Sequence, residues 1–252
     1  MKDNPGVKTS KFEIPWHWRA WRARARWAGT RQRIEQWLLS LDPGQVSSSV
    51  SDAWPQGLIL LGGSAGWMMS DAFLKRFRRV LLVDLDPLAA WLFRLNHRAA
   101  LTASGPAFNF WQGDAHDILR DALAWDPQAC VLFDNFLGLD SMYTGDLTKT
   151  EKRLRRIAGL MKGRLWGSVH DRYSGPGTRD WASAACWQHN IRLAPGEAFP
   201  QQEMLASVQG YGEWLDHGTD AVLPPSISTH LIPWPIVPGR WHWLQAGWVV
   251  PR

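Results

Sequence analysis

The chain has 252 residues, 45% of them hydrophobic and 20% charged, with a formal net charge of +5; this composition excludes a disordered or fibrous chain and fits one main α/β domain with a sizeable core. The longest apolar runs, such as 58–61 and 80–83, are far shorter than the ~20 residues of a membrane span, and the N-terminus has no signal-peptide core, so a cytoplasmic protein with no membrane span is expected. Two cysteines, Cys130 and Cys186, exclude a disulfide framework, and the eight scattered histidines show no zinc spacing, so no metal site is expected.

Residues 1–50 read as an N-terminal helical extension rich in Trp and Arg. Pro15 suits a first helical turn, Gly29 a helix end, and Thr30 the cap of a second helix that buries Ile34, Trp37, Leu38 and Leu41. In "PWHWRAWRARARW" (15–27), Trp16, Ala20, Ala23 and Trp27 form an apolar face beside a ridge of Arg19, Arg22 and Arg26. Such a segment suits an amphipathic helix covering a pocket, or nucleic acid contact through phosphates and stacked bases, or an anionic surface; the covering helix is favoured because the Trp stripe has helical spacing. Asp42-Pro43-Gly44 predicts a stop, and the Ser-rich stretch 46–57 a connector.

The main domain, residues 51–252, then alternates strand and helix. The pattern predicts a strand at 58–61, a helix over 65–78, a strand at 79–83, and a helix over 87–99 facing inward through Leu88, Trp91, Leu92 and Leu95. Strands follow at 108–112 and 129–133. A capping box of Thr148 and Glu151 opens a helix with the stripe Leu154, Ile157, Ala158 and Met161, ended by Gly163. "RLWGSVHD" supplies a fifth strand, the Pro-rich 223–239 reads as a loop or lid, and the closing residues as a strand pair. The expected fold is a doubly wound, mostly parallel Rossmann-like sheet with helices on both faces.

In such a sheet the turn after the first strand meets the ligand. "LILLGGSAG" carries Gly62, Gly63 and Gly66 without the dinucleotide or Walker pattern. Together with "VLLVDLDP", "FWQGDAHDI" and "ACVLFDNFLGL" in order, over roughly residues 54–172, it resembles the class I S-adenosylmethionine-dependent methyltransferases. The resemblance implies S-adenosylmethionine as cofactor, with Gly62, Gly63, Ser64 and Gly66 lining its amino acid part. It implies Asp84 on the ribose hydroxyls, with Asp86 as the near alternative, and Asp114 with the backbone of Ala115 at the adenine. Asp134 and Asn135 would stand nearest the transferred group. Two positions depart from the family pattern: Leu60, where an acidic residue is usual, and Ser64, where glycine is common.

Asp134, His170, Asp171 and Tyr173 fall at the ends of strands four and five, where groups facing a substrate belong, and His170 is the candidate proton acceptor. The substrate expected is a small molecule or a protein or peptide. The alternatives left open are a non-catalytic partner protein of the same fold, an RNA methyltransferase using the Arg ridge, and an aminopropyltransferase of the spermidine synthase type.

Overall fold

A computed structural model describes residues 10–42, 54–139, 145–188 and 190–251. Five parallel strands form its centre: β1 (Gly57–Leu61), β2 (Arg79–Asp84), β3 (Ala107–Gln112), β4 (Cys130–Asp134) and β5 (Trp166–Pro176). An antiparallel extension adds β6 (Ile191–Leu193), β7 (Leu215–Asp216), β8 (Thr229–Val237) and β9 (Arg240–Val249), giving the order β3-β2-β1-β4-β5-β9-β8-β6 with β7 paired to β5. β1 and β4 are buried along their whole length, as their uninterrupted apolar sequence requires when both faces of a sheet are covered.

Alternate side chains of each strand serve opposite faces. Leu58, Leu60, Val80, Leu82 and Leu132 pack with α1 (Ser10–Arg22), α2 (Ala28–Leu39), α3 (Asp71–Leu74) and α4 (Ala89–Asn96) through Ala20, Trp37, Phe73 and Phe93. Ile59, Leu61, Leu81, Val131 and Phe133 pack with α5 (Ala115–Trp125) and α6 (Leu147–Leu160) through Leu119, Leu123, Leu154 and Ile157. The doubly wound architecture expected from the sequence is therefore present. The antiparallel strands and α7 (Gln201–Ser207) share a third cluster around Trp241 and Trp243.

Several local expectations are corrected. Pro15 lies inside α1 rather than at its first turn. Gly29 and Thr30 lie inside α2. A Cβ on Gly29 would stand 2.8 Å from the Trp187 ring, so this glycine serves a close approach and not a helix end. The four apolar positions Ile34, Trp37, Leu38 and Leu41 are buried as expected. The stop at Pro43-Gly44, most of the Ser-rich connector and the 50/51 boundary lie outside the described residues.

Residues 65–78 form turns, with helix only at α3, because Gly62, Ser64 and Gly66 hold positive φ and break the helical path. Leu88, Trp91 and Leu95 of α4 face outward; the buried ridge is Ala89, Phe93, His97 and Ala100. Phe93 stacks on Phe108 of β3 at 5.3 Å, and a histidine within the buried ridge hid it from an apolar pattern. The cap of α6 is Asp146, whose carboxylate accepts from the Thr148 and Lys149 amides at 2.9 and 3.2 Å.

The Pro-rich segment is the largest correction, since residues 229–237 form β8 inside the sheet. β6 pairs with β8 only at Thr229–Leu231. Beyond that point, among the described residues, one edge of β8 has no strand neighbour, so Pro233 and Pro235 sit where a missing N–H leaves no ladder bond unmade. The N-terminal helices supply donors to this edge instead. Thr30 Oγ1 donates to the Pro233 carbonyl at 2.8 Å, Arg26 to those of Pro235 and Ile236 at 2.9 and 3.0 Å, and Trp27 Nε1 to that of Pro235 at 3.2 Å. Thr30→Val is expected to leave the buried Pro233 carbonyl without this donor and to lower stability by about 1–3 kcal/mol, measured by urea unfolding; an unchanged midpoint would show that the clasp contributes nothing.

Candidate functional site

The strand order reverses across β1 and β4, which opens a crevice at the carboxyl ends of the parallel strands, the place where open α/β sheets take ligands. The glycine turn follows β1 into this crevice. Gly62 N–H donates to the Val83 carbonyl at 3.0 Å, and the positive φ values of Gly62 (72°), Ser64 (46°) and Gly66 (70°) curl the chain so that its amides point toward β2. Asp84, closing β2, collects two of these donors: Ser64 N–H lies 2.7 Å from one carboxylate oxygen and Asp86 N–H 2.9 Å from the other. Each oxygen keeps acceptor capacity. Burial pushes the Asp84 carboxyl up from its ordinary range, the two amides oppose that, and the Asp86 charge adds to it.

Asp86 is more enclosed than Asp84, at 4% exposure. Its carboxylate accepts from Leu88 N–H at 2.9 Å and meets His17 Nε2 of α1, while His17 Nδ1 faces Trp67 Nε1 at 3.3 Å. Asp114 follows β3 as the N-cap of α5, accepting from His116 N–H at 2.8 Å, with Ala115 buried at the first helical position. Gly113 N–H to the Asp84 carbonyl, 3.0 Å, ties this corner to β2.

Asp134 closes β4. Its carboxyl is pushed up to about 7, first by burial and then by the charge of Asp84. Asn135 adopts φ 51° and turns its side chain to β5, where Oδ1 accepts from Asp171 N–H at 3.2 Å. The structure thus gathers Gly62, Ser64, Asp84, Asp114 and Asp134 at neighbouring strand ends.

His170 is different. It is 0% exposed, its Nδ1 lies 2.8 Å from Ser168 Oγ, and burial first, with Arg172 and His217 adding to it, pushes its pKa down to about 3. The expected proton acceptor is thus an enclosed ring held by a neighbour on its own strand.

The glycines also serve close packing. A Cβ on Gly62 would stand 2.9 Å from Phe136 Cβ and 3.2 Å from the Asp134 carbonyl; on Gly63, 2.6 Å from Leu60; on Gly66, 2.3 Å from His97 Nε2. Their missing side chains let the turn close onto β4, its own strand and α4. His97 pins the turn from below, with Nδ1 2.5 Å from Asp71 and Nε2 3.0 Å from the Gly66 carbonyl.

A second polar group lies midway along β5, which runs on to Pro176 instead of ending near Asp171 as expected. Asp171 Oδ1 lies 2.7 Å from His242 Nδ1, and His217 places Nδ1 3.0 Å from the Gly138 carbonyl and Nε2 3.1 Å from Ser174 Oγ. Burial alone would raise the Asp171 carboxyl, but the charge and hydrogen bond of His242, with His217 and Asn135, outweigh it and hold Asp171 below its ordinary range. Burial lowers His217. These residues are far apart in the chain; the β5–β9 pairing, with a bulge between Asp171 and Tyr173, brings in His242, and the β5–β7 pairing, followed by His217 N–H to the Arg172 carbonyl at 3.1 Å, brings in His217. Only Asp171, expected at a strand end, carried a signal in the sequence. The N-terminal helices reach the same area, since the Trp234 ring lies 6.3 Å from Trp16 of α1, 5.2 Å from Trp27 before α2 and 5.4 Å from His242.

No family model matches the chain, and no curated protein matches it. Among solved structures it is similar to magnesium protoporphyrin IX methyltransferase of Synechocystis with bound S-adenosylhomocysteine, at 12% identity and TM-score 0.46 over 97% of this chain and 90% of that one. It is similar to the N-methyltransferase NodS of Bradyrhizobium japonicum at 13% identity and TM-score 0.40, over 89% and 98% of the two chains. A candidate O-methyltransferase of Nostoc punctiforme aligns at 12% identity and TM-score 0.46 with 97% of this chain, which spans 63% of that protein's length.

Proposed function

We propose that the chain is an S-adenosylmethionine-dependent methyltransferase acting on a small molecule or a protein. The observation that carries this reading is the Asp84 carboxylate, held at the carboxyl end of β2 by the amides of Ser64 and Asp86 beside the β1/β4 crevice. A carboxylate so oriented, with lone pairs left over, suits a vicinal diol such as a ribose. Asp86 is already engaged by His17 and Leu88 N–H, which favours Asp84 for the ribose.

The remaining residues fit the same group. The backbone of Gly62, Gly63, Ser64 and Gly66 forms the wall for the amino acid part, and Asp114 with Ala115 the wall for the base. When bound, the cofactor supplies an electrophilic methyl group on a cationic sulfonium. Asp134 would face that charge: burial pushes its carboxyl up to about 7, and a cation beside it would favour the ionised form, the proton passing to solvent. Asn135 holds the β4 and β5 ends together through Asp171 N–H and so positions the acceptor side.

Within the N-terminal extension, α1 is read as a cover of the crevice, through His17 on Asp86 and Trp16 against Trp234. Arg26 is committed to the Pro235 and Ile236 carbonyls, which leaves Arg19 and Arg22 outward and weakens the case for a nucleic acid arm. Among the described residues no helix is long and apolar enough to cross a membrane.

Asp84→Ala is expected to weaken binding of S-adenosylhomocysteine by about 2 kcal/mol, roughly thirtyfold, while Asp86→Ala acts mainly by freeing α1 and costs less. Fluorescence titration of the two variants checks the order; a larger loss in Asp86→Ala would transfer the ribose contact to Asp86.

A further inference from the structure

We propose that Asp171, His217 and His242 form a binding site for a first-row divalent transition metal of the zinc type. The inference does not depend on the methyl-transfer reading. One donor atom from each residue lies within 4.8 Å of the other two, and Asp171 and His217 are buried while His242 is partly so. Two imidazoles and one carboxylate make a donor set that suits zinc or ferrous ions and not magnesium or calcium, which prefer oxygen.

The surroundings are built as metal sites are. The Gly138 carbonyl, 3.0 Å from His217 Nδ1, can only accept, so Nδ1 carries the proton and Nε2 presents its lone pair. Fixing a ligand's tautomer through a backbone carbonyl is the usual support for a coordinating histidine. Ser174 Oγ, 3.1 Å from that Nε2, is displaced or becomes a neighbour of the ion. At the other ligands, an ion would replace the proton shared by His242 Nδ1 and Asp171 Oδ1. Asp171 is itself fixed by backbone contacts, with N–H donating to Asn135 Oδ1 at 3.2 Å and its carbonyl accepting from Thr219 Oγ1 at 3.2 Å. Gly138 must be glycine for this arrangement, since a Cβ there would stand 2.6 Å from Asp171 N.

Three protein donors leave one position for water or a substrate oxygen, the pattern of a catalytic and not a purely structural ion. The coordinating groups come from β5, β9 and the segment after β7, so the ion would tie the parallel half of the sheet to its antiparallel extension.

The test uses the whole chain, stripped with chelator and then dialysed against Zn²⁺ or Co²⁺. Elemental analysis is expected to find one equivalent retained per chain, and cobalt to show visible absorption of a four- or five-coordinate nitrogen and oxygen site. Asp171→Asn and His242→Ala should each weaken retention at least tenfold, while His230→Ala, distant from the cluster, should not. Circular dichroism confirms that each variant is folded; if Asp171→Asn is not, His242→Ala, at the more exposed ligand, decides alone. Folded wild type that retains less than a tenth of an equivalent, or retention unchanged in His242→Ala, would overturn the proposal.

Discussion

Asp134→Asn is expected to stabilise the ligand-free protein above neutral pH while impairing cofactor binding. An aspartate with an ordinary pKa of 3.8 is pushed up to about 7 at this position. Between those values the folded chain holds a proton that the unfolded chain has lost. The stability this contributes is complete below the unfolded pKa and disappears as pH rises through the folded one. A difference of this size corresponds to roughly 4 kcal/mol as an upper figure, the part that relaxation leaves being smaller. Asn keeps the shape of the protonated acid and never ionises. Urea unfolding should therefore show a falling wild-type stability between about pH 4 and pH 7, with the variant falling less. Because Asp84 is also raised by burial, the difference between the two proteins is the readout and not the wild-type slope. Parallel curves would contradict the environment assigned to Asp134.

Gly66→Ala is expected to be among the most damaging single substitutions. The backbone at φ 70° disfavours any side chain, and the added Cβ would lie 2.3 Å from His97 Nε2 and 2.9 Å from Phe93 Cδ2. Left-handed strain costs about 1–3 kcal/mol and overpacking about 1–3 more, for a loss of roughly 4. His97 cannot step aside freely, being held between Asp71 and the Gly66 carbonyl. In a His97→Ala background the same substitution should cost visibly less, since the strain remains but most of the collision is gone. Equal costs in both backgrounds would show that His97 does not close the turn. A bulkier residue at Gly62 carries the same warning: with φ 72° and Phe136 2.9 Å from its Cβ position, Gly62→Val tests the fold before it tests a ligand.

How far the sequence was legible follows from the physics of each signal. Strands buried on both faces read plainly, as at Leu58–Leu61 and Val80–Val83, because an uninterrupted apolar run bounded by turn residues has few other solutions. Asp84 and Asp134 stood out for the same reason: each closes an apolar strand that is buried. The face of α4 was misread because Leu88, Trp91 and Leu95 keep helical spacing yet face outward, while the true ridge passes through His97. The Pro-rich segment was misread because proline rules apply to strands with two neighbours, and β8 beyond Leu231 has one. The glycine turn was located correctly, but its reason was partly hidden: Phe136 and His97, which fill the space, arrive from distant positions. The Asp171, His217 and His242 group was invisible for that cause alone, since the β5–β9 and β5–β7 pairings bring it together.

The measurement that tests the central claim most directly is a calorimetric titration of the full chain with S-adenosylhomocysteine, run beside Asp84→Ala. Saturable binding of one molecule per chain in the micromolar range is expected, weakened about thirtyfold in the folded variant, as the loss of a paired charge-assisted contact of about 2 kcal/mol requires. A wild-type chain that is folded and shows no saturable heat at millimolar ligand, or an Asp84→Ala variant that binds as tightly as the wild type, would contradict it.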